Sequence, residues 1–195
     1  MKKILFVFIV AIFSLTSCNQ TRRIVTDTPI KTNILGIEIG KTMSSGKIQD
    51  VLINNTDTYF LPLPKKNGNA EVYRYIPVLL NFNYGGLTWT YIDVGTTNDS
   101  KVYAVSLVGS YESMESAKQQ YDSAVAIFTK KYGKGNVNES DSNGSNIYWT
   151  DDVNSVRLIC YKSSAVNGSD RCFCELYYIN NALSDKVDAE NQPDI

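Results

Sequence analysis

The chain has 195 residues, 19 basic side chains against 20 acidic ones, a formal net charge of −1 and no histidine. A balance this even, with no basic block, argues against nucleic-acid binding. The missing histidine removes the commonest general base and the commonest metal ligand together.

Lys2 and Lys3 precede an unbroken apolar run from Ile4 to Phe13, followed by small and polar residues ending at Cys18. About 20 apolar residues are needed to cross a bilayer, so the run is too short for a spanning helix and has the build of a secretory signal peptide. Leu15-Thr16-Ser17-Cys18 resembles the lipobox of bacterial lipoproteins, an apolar residue and two small ones before a cysteine. The resemblance covers residues 1–18 only. It implies diacylglyceryl transfer to the Cys18 sulfur, signal cleavage between Ser17 and Cys18, and acylation of the new amino terminus. Two or more lipid chains hold a protein firmly where one binds only marginally. In such lipoproteins an Asp after the cysteine signals retention in the inner membrane. Here that residue is Asn19, and Gln20-Thr21-Arg22-Arg23 contains no acidic export cluster. The expected address is therefore the outer membrane, on its periplasmic face.

Cleavage after Ser17 leaves 178 of the 195 residues, with 17 basic and 20 acidic groups. That suits one domain with its own core, without help from disulfides. Residues 18–33 are polar, carry Pro29 and read as a lipidated, flexible tether. Fully extended it would reach roughly 50 Å. Residues 34–180 read as one domain, and residues 181–195, with Asp185, Asp188, Glu190, Pro193 and Asp194, as a disordered polar tail.

Within the domain, Ile34 to Ile39 is a short apolar strand closed by Gly40. Thr42 or Ser44 is placed to cap a short helix running to about Ile53, with Met43, Ile48, Val51 and Leu52 on its apolar side. Thr58 to Leu63 is extended, but Pro62 and Pro64 confine it to a sheet edge or a loop. Gly85-Gly86 marks a two-residue hairpin between Val78–Tyr84 and Leu87–Val94. The register sets Phe82 opposite Trp89 and Leu80 opposite Tyr91, with Asn81 opposite Thr90 and Asn83 opposite Thr88 on the other face. Lys101 to Val108 continues the meander with Tyr103, Val105 and Leu107 facing inward.

Met114, Ala117, Tyr121, Ala124, Val125, Phe128 and Tyr132 recur at helical spacing. Ser113 can cap this helix, Glu115 sits in its first turn, Lys130 and Lys131 in its last, and Gly133 follows as a stop. Ile147–Thr150 and Val156–Lys162 form a second hairpin, Asn167-Gly168 marks a turn, and Cys172–Ile179 closes the domain. Runs of strands punctuated by single helices predict an α+β fold, an antiparallel meander sheet with one long and one short helix packed on one face. A helix followed by a meander occurs twice, without sequence identity between the copies.

Three stretches imitate catalytic or binding motifs. Gly36-Ile-Glu-Ile-Gly40-Lys41-Thr42 has three residues between its glycines, one short of a phosphate loop. Ser44-Ser45-Gly46-Lys47 matches S-x-x-K without the accompanying S-D-N and K-T-G elements. Asp141-Ser-Asn143-Gly-Ser145 with Asp152 resembles a calcium loop that lacks its Gly and its final Glu. A turn, a surface helix and a polar loop account for the three, so no catalytic residue, nucleotide, metal or cofactor is assigned.

Cys18 is committed to lipid, which leaves Cys160, Cys172 and Cys174. Strand alternation brings these three together on one sheet face. They are candidates for a single disulfide from Cys160 to Cys172 or Cys174 in an oxidising compartment, or for three small buried hydrophobes. Among the 13 tyrosines, Tyr73 and Tyr75, with Arg74 between them, fall where an exposed edge is expected, and form a candidate contact surface. The function expected is a non-catalytic binding module, lipid-anchored at Cys18, that meets another envelope protein or a cell-wall component. The alternative is an envelope hydrolase, or an inhibitor module, acting on cell-wall or glycan material. A glycan hydrolase needs two carboxylates in a cleft, and no such pair stands out in the sequence.

Overall fold

Leu35 and Gly36 both take positive φ, 53° and 83°, and turn the chain sharply between two-residue strands β1 (Asn33–Ile34) and β2 (Ile37–Glu38). The computed structural model describes residues 23–67, 70–138, 144–164 and 170–191. The lipobox, the Asn167-Gly168 turn and most of the calcium-like loop lie outside those residues. Helix α1 (Ser45–Thr56) begins at Ser44, whose hydroxyl accepts from the Lys47 backbone N–H and thereby fills one of the orphan donors of a helix start. Ile48 and Leu52 are its buried residues.

The body is an eight-stranded, wholly antiparallel sheet. Its strands are β3 (Phe60–Asn67), β4 (Ala70–Pro77), β7 (Tyr91–Thr96), β8 (Val102–Tyr111), β9 (Asn136–Val137), β10 (Gly144–Thr150), β11 (Asn154–Ser164) and β12 (Asp170–Asn180). They lie in the order β3-β4-β7-β8-β12-β11-β10-β9. Between β4 and β7 a small hairpin, β5 (Phe82–Tyr84) and β6 (Leu87–Trp89), turns at Gly85-Gly86. Helix α2 (Met114–Tyr132) runs as the sequence spacing predicts. Ser113 caps it, and Ala117, Tyr121, Ala124, Phe128 and Tyr132 are buried against β8, β11 and β12.

One face of the sheet is covered over its central strands. Helices α1 and α2 and the β5–β6 hairpin close over Tyr75, Ile92, Val105, Leu107, Leu158 and Leu176 in a single core. Phe82 packs edge-on to Phe60, Tyr84 edge-on to Tyr178, and Trp149 lies 5.5 Å from Phe128 with its indole N–H on the Gly133 carbonyl. The two halves of the sheet correspond, since α1-β3-β4-β7-β8 and α2-β9-β10-β11-β12 are each a helix followed by four strands. Their last strands pair, and Leu107 stands directly opposite Leu176 at the seam between the halves.

The sheet's edges are blunted. The Val78 N–H donates to the Tyr59 carbonyl, which turns alternate residues of β3 toward β4 and leaves Pro62 and Pro64 pointing outward. An outward proline offers no N–H to an incoming strand.

Four expectations are corrected here. Residues 23–32 are not a free tether: the Thr26 N–H donates to the Thr150 carbonyl, Ile24 and Asn136 exchange two hydrogen bonds, the Ile30 N–H donates to Asp151, and Ile30 is buried. This segment thus covers the opposite edge, at β9 and β10. Residues 181–190 are not a disordered tail but a third helix, α3 (Asn181–Glu190), capped by Asn180 and folded back on β8 and β12. The hairpin at Gly85-Gly86 keeps its expected pairs Phe82–Trp89 and Asn83–Thr88 but stops there. Tyr91 pairs with Val108 instead of Leu80, and Leu80 is 85% exposed at a φ of 34°. Tyr103 does not face the core, because a bulge between Gly95 and Thr96 makes Ala104 and Val102 the paired residues and turns Tyr103 to the far side.

Candidate functional site

The far face of the sheet is left open except where α3 lies on it. Alternation sends Lys65 of β3, Val72 and Arg74 of β4, Tyr91 and Asp93 of β7, Ser106 of β8, Tyr161 of β11, and Glu175 and Tyr177 of β12 to this side. Together with Tyr103 they line a groove of about 330 Å³. That is the lower end of the ~300–1,000 Å³ typical of small-ligand sites.

Two charged clusters make its floor. Arg74 and Asp93 are directly opposite across β4 and β7, and the guanidinium grips the carboxylate with Nε at 2.8 Å and a terminal nitrogen at 2.7 Å. The same guanidinium lies 3.9 Å from the Tyr91 ring centroid, so it is held flat by charge on one side and by an aromatic face on the other. Asp93 raises the Arg74 pKa further above its ordinary value, and burial pushes the Tyr91 phenol up to about 12.

The second cluster centres on Glu175, only 7% exposed. Tyr161 donates its hydroxyl to Oε1 at 2.7 Å, and Tyr177 donates to Oε2. Burial, reinforced by the carboxylate, raises both phenols well above the ordinary tyrosine range. Tyr161 in turn stacks on Phe173 at 5.4 Å, which fixes its ring.

Between the clusters stands Ser106, directly opposite Asp93 on β7 and Tyr177 on β12. It is 5% exposed. Its Oγ is the one buried side-chain nitrogen or oxygen among the described residues that has no hydrogen-bond partner. Tyr103 closes the groove beside α3, lying across Gly95, where an added Cβ would meet the ring at 2.5 Å. Its phenol is raised by burial and then by the charge of Asp188 on α3.

Of the candidate contact residues, Arg74 alone enters this groove. Tyr75 points to the opposite face, fully buried with its hydroxyl on the Ser45 carbonyl, and Tyr73 points the same way and donates to Glu71. The strand that carries them is interior, flanked by β3 and β7, and not an edge. The three cysteines do gather on the covered face, Cys160 directly opposite Cys174, and all three are buried free thiols. Burial raises the thiols of Cys160 and Cys174, which keeps them from the reactive thiolate form. Ser44 of the S-x-x-K stretch is spent on its helix cap. Lys65, Tyr91, Asp93, Ser106, Tyr161, Glu175 and Tyr177 carried no motif signal, being spread over five strands.

Among the described residues no three of His, Cys, Asp and Glu gather as a metal site, and no helix is long and apolar enough to cross a membrane. Comparison with protein-family models, curated proteins and solved structures finds no significant match.

Proposed function

We propose that the protein is a non-catalytic binding module, anchored to the outer membrane through lipid on Cys18, and that the open sheet face is the surface it presents. The observation that carries the binding part is the groove, where tyrosines, a stacked arginine and two carboxylates meet on a rigid sheet. Tyrosine and arginine are the side chains that dominate recognition surfaces. The anchoring part is supported by the lipobox-like Leu15-Thr16-Ser17-Cys18.

Asp93 and Glu175 are the pair a glycan hydrolase would need. Strand spacing and stagger put their backbones about 12 Å apart. Inverting chemistry requires one carboxyl to deliver a proton while the other activates water. Here Asp93 accepts both Arg74 N–H groups and Glu175 accepts a phenol on each oxygen, so both are occupied as acceptors. That arrangement favours holding a ligand over cleaving one.

Two measurements test the proposal. Cys18→Ser should move the protein from the membrane to the soluble fraction; continued membrane retention would refute the anchor. A photo-crosslinking residue at Leu63, on the open side of the sheet, should yield a discrete adduct in intact envelopes, whereas one at Glu115 on α2 should not. Equal labelling from both positions would refute the open face as the contact surface.

A further inference from the structure

On the other side of the sheet, away from the groove, the β5–β6 hairpin and the last turns of α2 leave a gap above β12, a cavity of about 220 Å³. We propose that it holds the chain of an amphipathic carboxylate, a medium-chain fatty acid, whose head sits between Lys31 and Lys131. This site goes beyond the open face and does not depend on it. Buried Leu176, Phe128 and Tyr178 line its depth, with Leu87 of the hairpin and the exposed Ile127 of α2 at its sides. At roughly 30 Å³ for each methylene-sized group, about the share of one water, there is room for about seven carbons. A single short chain fits that space, and the paired long chains of a membrane phospholipid do not.

The charge at this cavity has one sign. Lys31 of the docked amino-terminal segment and Lys131 in the last turn of α2 both line it, and both are exposed. Neither meets a carboxylate among the described residues. The Lys31 ammonium lies 5.4 Å from the centroid of the Tyr84 ring, and that of Lys131 lies 4.7 Å from the centroid of Tyr132. No acidic residue lines the cavity, so the two cations attract an anion to it unopposed. The phenols of Tyr84 and Tyr178, which also line it, share one hydrogen bond at 3.4 Å. That bond uses one of their two protons, and the other has no acceptor among the described residues. Because a hydroxyl proton rotates, the spare one can sit on Tyr84, which is half-buried and lies beneath the Lys31 ammonium. A carboxylate accepts from ammonium and phenol together, while its chain covers Phe128 and Leu176.

The test uses the full mature protein with its lipid, in phosphatidylcholine nanodiscs, titrated with octanoate labelled with carbon-13 at the carboxyl and followed by NMR against empty discs. Octanoate is expected to bind saturably, and 1-octanol and octylammonium to displace it only weakly. Lys31→Gln combined with Lys131→Gln should weaken octanoate about tenfold, the scale of a lost charged hydrogen bond, with the melting temperature close to that of the unaltered protein. Ile127→Glu, which sets a carboxylate one helical turn from Lys131, should weaken it as well. Absence of saturable octanoate binding, displacement by octanol or octylammonium as effective as by octanoate itself, or undiminished binding in either variant would each overturn the fatty-acid site. None of these outcomes bears on the Leu63 crosslink, which tests the open face separately.

Discussion

Ser106 and Leu107 are neighbours on β8 with opposite fates. Leu107 is completely buried, opposite Leu176 at the centre of the covered face. Leu107→Ala removes packing where two halves of the sheet and α2 converge, and should cost about 3 kcal/mol by denaturant unfolding. Ser106→Ala removes a buried hydroxyl that bonds to nothing, so it relieves a desolvation penalty and should leave stability unchanged or raise it by up to about 1 kcal/mol. A marked loss of stability in Ser106→Ala would mean that the hydroxyl has an internal role. Two adjacent substitutions of opposite sign separate apolar packing from polar burial on one strand.

At the scale of elements, α3 and the Gly95 bulge shape the groove. Val187 is the one buried residue of α3, and the helix is held besides by its Asn180 cap, by hydrogen bonds of Asn181 with Val153, Ser155 and Asp152, and by the Asn98 amide donating to Glu190 at its far end. So slight an attachment opens easily. Val187→Asp should abolish amide-exchange protection across 181–190 while β8 and β12 keep theirs; loss of protection in the sheet would show that α3 belongs to the core. Gly95→Ala would drive a methyl into the Tyr103 ring, and should expel that ring from the groove, raising its fluorescence quenching by acrylamide.

The sequence resolves elements of this kind unevenly, and the reasons are physical. Helix α2 was legible to its caps because period, first-turn acid, last-turn lysines and Gly133 all agree. The β5–β6 turn was legible from Gly85-Gly86, but its length was not. Nothing local says that Tyr91 pairs with Val108 in place of Leu80, and that one choice also places β4 inside the sheet. Tyr73-Arg74-Tyr75 thus lies inside the sheet and not at its edge, and alternation leaves only Arg74 in the groove. The groove itself depends on six strands meeting in register, which no window of sequence contains. Helix α3 was hidden by composition, since a ten-residue helix with a single buried side chain looks like a polar tail.

For the molecule as a whole, buried phenols set the alkaline limit. Tyr91 is raised to about 12, and Tyr161, Tyr177 and Tyr178 are raised as well, burial being the first cause in each. A group with a folded pKa above its unfolded value of about 10 stabilises the fold fully below pH 10 and progressively less above it. The melting temperature should therefore fall steeply above pH 10, with tyrosinate absorbance from these residues appearing together with unfolding. Free titration of every phenol at pH 10 in the folded protein would contradict the burial.

The docked segment at Arg23–Thr32 has a mechanical consequence once Cys18 is taken as the lipidated residue. From Cys18 to Arg23 there are five peptide steps, a leash of at most about 18 Å. The β9–β10 margin is then the membrane-side margin, while the β3 margin lies seven inter-strand gaps, or roughly 34 Å, further along the sheet. Leu61, Leu63, Leu79 and Leu80, all exposed, occupy that distant margin. The leash would hold that margin close to the lipid surface, so the reach of the far margin is set mainly by the width of the sheet. Inserting ten Gly and Ser residues between Asn19 and Gln20 should extend the reach of crosslinks from Leu80 to envelope partners further from the bilayer; an unchanged crosslink pattern would show that the leash does not set the reach.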